Sequence, residues 1–328
     1  MPVPMGSARG RRYAGSSRGP PRASPFHQEG PLMAHAPIRL DHQVLHDGFV
    51  VEVQEKIEKL LEDAGAIEQL RLLWQQAPVL VFRRQSIEEH EQVQFSQQFG
   101  TCEVISRKDI LSPYQDEVIY FSTLRYADGR GVGGFAGGDD VAWHSDQTFM
   151  RQPATGAMLY GVEVPQGGGD IYWANQYGAW ESLPADIQAL IEGRTGTYRY
   201  AKRMAIMNPL ELKKDTKQAN AMLSLPDATH PLVLTHPVTG RKALYADPTT
   251  LVAIDGLSEA DNERVLPLLF EAASRPGLVY RHKVRNGDLI MWDNGCTMHR
   301  RDEMRLDQPR LMKRTTFRLS PQAYCVPH

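Results

Sequence analysis

Cysteine is scarce in this 328-residue chain: Cys102, Cys296 and Cys325 stand far apart, with no C-x-x-C spacing. That excludes a disulfide scaffold and a zinc knuckle and suits a reducing, cytoplasmic setting, so the three are read as bystanders. A run of about 18 apolar residues, the length a membrane-spanning helix needs, is also missing. Neither sign of charge is in excess. With 37 Lys and Arg against 39 Asp and Glu, the formal net charge is -2, so no global field recruits nucleic acid or an anionic membrane. What remains, 41% hydrophobic and 23% charged residues with a mean hydropathy of -0.42, fits a globular chain large enough for one big core or two modest ones, a single catalytic domain being the default.

Residues 1–38 are rich in Arg, Ser, Gly and Pro and nearly free of acids. They read as a disordered leader or as an upstream extension of a start at Met33, a transit peptide being the other option. Residues 39–328 read as a single domain. Early in it, Gln54 to Gln76 carries apolar residues at helical spacing, and "SIEEHEQVQFSQQFG" has the form of a helix with Ser86 and Glu89 as a capping box and Gly100 as its C-terminal cap. The rest is mainly short strands: "VIYFST", "GAMLYGVEV", "DIYWAN", "TYRYA", "PLVLTHP", "KALYAD", "VYRHKV", "DLIMWDN" and "RTTFRL". Helices at Pro184 to Glu192 and Ser258 to Ser274 interrupt them, and "HPVTGRKALY" has a hairpin turn at Thr239-Gly240. The fold class is therefore mainly β with flanking helices (α+β). Many short strands closing on themselves make a barrel or jelly roll, whose mouth is a usual place for a small-molecule site.

Two glycine clusters carry no chemistry of their own. "GRGVGG", Gly129 to Gly134, matches G-x-G-x-x-G, but no helix opens at it, and six glycines within Gly129 to Gly138 make a mobile loop instead. "QGGGD", Gln166 to Asp170, is a tight turn between strands.

The stretch "AWHSDQTF" is different, because His144 and Asp146 in one strand would point from the same face. An imidazole and a carboxylate are two parts of the two-histidine, one-carboxylate triad that holds Fe(II) and leaves three positions open. By itself H-x-[DE] is cheap: chance supplies roughly one at this composition, and His27-Gln28-Glu29 is another. A distant segment, "GDLIMWDNGCTMHRRDEMRLDQPRLMKRTTF", adds weight, since an apolar strand leads to His299, with Arg310 eleven residues on and Arg314 four later. A third ligand followed by a guanidinium that can grip a carboxylate through two parallel hydrogen bonds suits a dicarboxylate bound beside a metal. Arg300, Arg301 and Arg305 read as a solvated basic turn.

These blocks, with "GGDIYWAN", "THPVTGRKALY" and "GLSEADNERVLPLLF", resemble the taurine dioxygenase and 2,4-dichlorophenoxyacetate dioxygenase family of Fe(II)/2-oxoglutarate-dependent oxygenases, from about Leu40 to the end. The resemblance implies a double-stranded β-helix, a cupin-like jelly roll. It implies Fe(II) held by His144, Asp146 and His299, with 2-oxoglutarate as co-substrate and Arg310 on its distal carboxylate. Arg314 would face the substrate or the co-substrate's other end. Where the family commonly has a Thr after "GGD", this chain has Ile171, so Arg310 holds that carboxylate with less help. Where taurine-cleaving members carry a His and a Tyr, it has Ile105 and Lys108, which points away from taurine. Those two residues, with Arg314 and Asp140, are the candidate substrate contacts; Arg107 is a weaker one.

The implied reaction couples decarboxylation of 2-oxoglutarate by O2, giving succinate and CO2, to hydroxylation of an unactivated C-H bond. The alcohol collapses to C-O or C-S cleavage where the carbon bears a leaving heteroatom. Asp146 retains the carboxylate ligand, which disfavours halogenation. The implied substrate is a small anion, a carboxylate or similar, and the family often forms dimers or tetramers. Trp143, Phe149, Tyr172 and Trp173 are either pocket walls or core. Two other readings stay open: a zinc hydrolase, which leaves the arginines without a role, and a non-catalytic ligand-binding barrel.

Overall fold

The computed structural model describes residues 40–105, 108–134, 137–207, 220 and 223–327. The leader and Arg107 lie outside these. In chain order the first half comprises β1 (His42–His46), β2 (Val50–Val53), α1 (Ile57–Leu61), α2 (Ala64–Gln76), β3 (Val79–Phe82), α3 (Glu89–Gln97), β4 (Gly100–Cys102), β5 (Val118–Ser122), β6 (Val141–His144), β7 (Gly156–Glu163) and β8 (Ile171–Asn175). It continues with α4 (Gln176–Glu181), α5 (Ala185–Ile191), β9 (Thr195–Tyr198), α6 (Tyr200–Met207), β10 (Ala228–Pro231), β11 (Val233–Thr235), β12 (Lys242–Leu244) and β13 (Leu251–Ile254). The last elements are α7 (Glu259–Ala273), β14 (Val279–His282), β15 (Leu289–Asp293), β16 (Thr297–Arg301) and β17 (Leu311–Leu319).

Two sheets face each other as a jelly roll. The larger runs β1-β2-β3-β15-β7-β17-β4, with β5 also on β17; the smaller runs β14-β8-β16-β6. Alternation in β7 and β15 sets the layers. Ala157, Leu159, Ile290 and Trp292 turn inward to meet Ile171 and Trp173 of β8, whereas Met158, Tyr160, Leu289 and Met291 turn outward beneath the helices of residues 57–97. Both faces are buried, which is why these strands read as continuous apolar runs rather than alternating ones. A third cluster, built from α4, α5, α7 and β9 to β13, covers the far side of the small sheet.

Several local expectations shift. The helix expected over Gln54 to Gln76 is two, because Asp63 caps a new start by accepting from the N-H groups of Gly65 and Ala66. The capping box of α3 lies two residues later than expected, formed by Glu88 and Glu91, and Gly100 opens β4 instead of capping the helix. There a Cβ would strike the Arg318 carbonyl, so tight strand packing is what requires glycine. "TYRYA" is split between β9 and α6. The hairpin at Thr239-Gly240 forms, joining β11 to β12 with Gly240 at φ +70°.

Candidate metal and co-substrate site

Antiparallel pairing of β6 with β16 sets His144 directly opposite His299. Their ring centroids are 4.2 Å apart. Asp146 does not share the strand as expected: β6 ends at His144, and Asp146 lies in the turn that follows. The turn is held in place by Gln147, which takes φ +52°, a left-handed value unusual for a side chain of its size. Gln147 donates to Glu103 and accepts from the Ala154 N-H at 3.0 Å. Bent this way, Asp146 brings its carboxylate beside the two imidazoles, and one ligand atom from each of the three residues lies within 4.8 Å of the others.

The electrostatics of the trio suit metal ligation. Burial first, then the charges of His299 and Arg203, hold His144 well below its ordinary pKa, and burial pulls His299 down to about 4. Both rings are therefore neutral donors near pH 7. Nδ1 of His144 donates to the Ala142 carbonyl at 2.8 Å, which leaves Nε2 as its free donor. Burial works to raise Asp146, but Arg314, and then His299 and His144, outweigh it and hold the carboxyl below its usual range. Arg314 donates to Oδ2 of Asp146, while Oδ1 lies 3.8 Å from His299 Nε2.

Arg310 precedes β17 and shares a strand face with Met312 and Arg314. It is 5% exposed, and among the described residues its guanidinium has no hydrogen-bond or ion-pair partner. Burial, followed by the charge of Arg301, pushes it down to about 9. A buried cation without an anion is costly, so such a group fits a carboxylate that arrives with a ligand. Two imidazoles and a carboxylate likewise fit Fe(II). Ile171 is buried in the core between the sheets with Trp173 and Trp292 and offers only an apolar wall.

The outer candidates are less engaged. Lys108 and Asp140 are exposed and Ile105 is half-buried, none of them bonded to the trio. Trp143 and Tyr172 do not wall the barrel interior, because the strand period turns them to the outer face of the small sheet; there Trp143 lines a groove with Asp140 and Arg300, and Arg300 stacks 3.9 Å over Tyr172. Trp173 is core, and Phe149 packs on Tyr200 of α6. The basic turn is not uniformly solvated either, since Arg301 is partly buried and bonded to the carbonyls of Gly137 and Asp139.

Sequence reasoning missed Asp247 and Arg203. Asp247 is buried and accepts from the Ser145 N-H at 3.3 Å, Thr148 Oγ1 at 2.8 Å and the Thr249 N-H at 2.8 Å. Arg203 of α6 reaches the Ser145 carbonyl at 3.2 Å and sits 3.7 Å from Asp247. Together they fix the residue between two of the trio. "YADPTT" signals an Asx turn at Asp247, but nothing local says that it reaches across about a hundred residues.

This geometry finds its match among known proteins: the taurine catabolism dioxygenase TauD, TfdA family aligns with residues 41–316. The chain belongs to that family. A relative from Cupriavidus pinatubonensis, an alpha-ketoglutarate-dependent 2,4-dichlorophenoxyacetate dioxygenase, is 30% identical over 83% of this chain and 95% of its own. An alpha-ketoglutarate-dependent sulfate ester dioxygenase from Pseudomonas putida is 27% identical over 78% of this chain and 81% of its own. Among solved structures, AAD-2 in complex with Mn(II) and N-oxalylglycine superposes with a TM-score of 0.70 at 27% identity, covering 86% of this chain and 98% of that one. The protein is thus an Fe(II)- and 2-oxoglutarate-dependent dioxygenase with a jelly-roll core, acting with O2 on a small molecule. Neither the zinc hydrolase nor the non-catalytic barrel survives this membership. No described helix is long and apolar enough to cross a membrane.

Proposed function

We propose that His144, Asp146 and His299 hold the iron, that Arg310 receives the distal carboxylate of 2-oxoglutarate, and that Arg314 meets an anionic group of the substrate. The observation that carries this is the pairing of a buried cluster of two neutral histidines and one carboxylate with a buried guanidinium that has no partner among the described residues. When bound, the iron and co-substrate supply the O2-dependent oxidation of a C-H bond, with release of succinate and CO2. The protein's own part is orientation and exclusion of water.

In this reading Arg314 steadies the outer oxygen of Asp146 and presents its remaining N-H groups to the substrate. Its guanidinium lies 5.3 Å from the Trp292 ring centre and 5.9 Å from that of Phe121, aromatic surfaces suited to an aryl or alkyl body. Asp140, Lys108 and Ile105 form the rim of the entrance, and Ile171 lines the co-substrate pocket. The substrate is a small anion whose oxidised carbon adjoins an ether or ester oxygen, so that hydroxylation leads to cleavage. Relatives named for phenoxyalkanoates and sulfate esters support that class. The enzyme works in the cytoplasm as a homo-oligomer, a dimer or tetramer. The test is substrate-dependent O2 consumption across carboxylates, sulfonates, sulfates and amino acids, with Arg314→Ala as control. Stimulation by an anion, lost in the variant, is expected; if no anion stimulates turnover, the substrate assignment fails.

A further inference from the structure

Arg301 sits two residues after His299 on β16 and therefore on the same face of that strand. Its partner across the ladder is Ile171, just as His299 faces Trp173. Ile171 and Trp173 belong to the core between the sheets, so Arg301 enters the barrel from the small sheet while Arg310 and Arg314 enter from the large one. It is partly buried. Its Nη1 donates to the Asp302 carbonyl at 2.8 Å, and its Nη2 donates to the carbonyls of Asp139 at 2.7 Å and Gly137 at 3.2 Å. These are main-chain acceptors, and among the described residues no anion is bonded to the positive charge. The carboxylates of Asp139, Asp140 and Asp302 support that charge from a distance, and the charge in turn bears on Arg310. Arg301 and Arg310 thus enter the barrel from opposite sheets, and Arg301 lies across the ladder from the one position where a hydroxyl could have helped and the sec-butyl side chain of Ile171 is present instead.

We infer that Arg301 is a second positioning residue for the distal carboxylate of 2-oxoglutarate, supplying from across the strand ladder the polar contact that Ile171 cannot, and coupling co-substrate binding to the glycine-rich loop it holds at Gly137 and Asp139. This rests on the reading of Arg310 as the carboxylate's anchor. Two like charges forced together inside a protein repel, and a carboxylate placed between them relieves that repulsion, so the pair favours the dicarboxylate over a monocarboxylate. Because the loop contacts are to carbonyls, a neutral amide can keep part of the latch while losing the charge.

The test is calorimetric binding to the Mn(II)-loaded protein without O2, comparing 2-oxoglutarate with 2-oxopentanoate, which keeps the same chain and 2-oxo acid end but lacks the distal carboxylate. Arg301→Ala and Arg301→Gln are expected to weaken 2-oxoglutarate by about tenfold or more and to leave 2-oxopentanoate and Mn(II) affinity unchanged, with Arg301→Lys in between. Equal losses for both oxo acids, or wild-type affinity in Arg301→Gln, would make Arg301 a loop latch only and overturn the inference. Arg310→Ala separates the two levels. If it too binds 2-oxoglutarate as the wild type does, the anchor reading fails and takes this inference with it; if it is impaired while both Arg301 variants are not, only the inference fails.

Discussion

At the scale of single residues, the neighbours of a buried group decide whether it carries charge. Asp146 stays ionised because Arg314 touches it, whereas Asp293, equally buried but with only the Gly295 N-H and the Cys296 thiol nearby, is pushed up by burial to about 7. A carboxyl whose folded pKa lies above its unfolded value of 3.8 costs the fold stability as pH rises between the two, by up to about 1.4 kcal/mol per pH unit, and nothing further above the upper one. Asp293→Asn keeps the acceptor for Gly295 and removes the titration. Its melting temperature relative to the wild type is therefore expected to climb from pH 5 to about 7 and then level off. Calorimetry at four pH values checks this, and a gap that does not change with pH contradicts it.

The elements show how much of the protein can be read from its residues. The strands of the two sheets were legible because β-branched and aromatic runs end at Gly, Pro and Asn, and β15 leading into His299 was visible as an apolar strand before a polar turn. Helix starts were harder to place. Periodicity carries across Glu62 and Asp63 without a break, so only the carboxylate of Asp63 accepting from Gly65 and Ala66 reveals that α2 begins afresh. Asp63→Ala removes that cap and is expected to cost about 1 kcal/mol in chemical denaturation while leaving turnover unaltered, because α2 packs on the outer face of the large sheet. A cost near zero would mean that packing alone sets the boundary. The turn after β6 was illegible for a different reason: the left-handed Gln147 is held by Glu103 and Ala154, and no local rule foretells a bend imposed by distant partners.

For the whole molecule, the candidate ligands and arginines stood out as types and spacings, but their surroundings did not. Asp247 and Arg203 act through contacts made only when β6, α6 and the loop after β12 come together, and the role of Arg301 depends on a cross-strand register. Buried histidines elsewhere give a global signature. His230, His236 and His282 are all held below the ordinary value of 6.5, in each case chiefly by burial. A neutral histidine in the fold that charges on unfolding makes stability complete above about 6.5 and progressively lost below it. In the Asp293→Asn variant, which lacks the opposing titration, the melting temperature is therefore expected to fall from pH 7 to pH 5; a rise there would contradict the burial of these rings. The central claim, that one buried trio and Arg310 together run the chemistry, is tested most directly by the yield of succinate from 2-oxoglutarate with Fe(II), O2 and an accepted substrate. The wild type should form succinate in step with O2 consumed, while His144→Ala, His299→Ala and Arg310→Ala, each still folded, should form at most a small fraction of it. Undiminished succinate from any of the three would contradict the assignment of that residue.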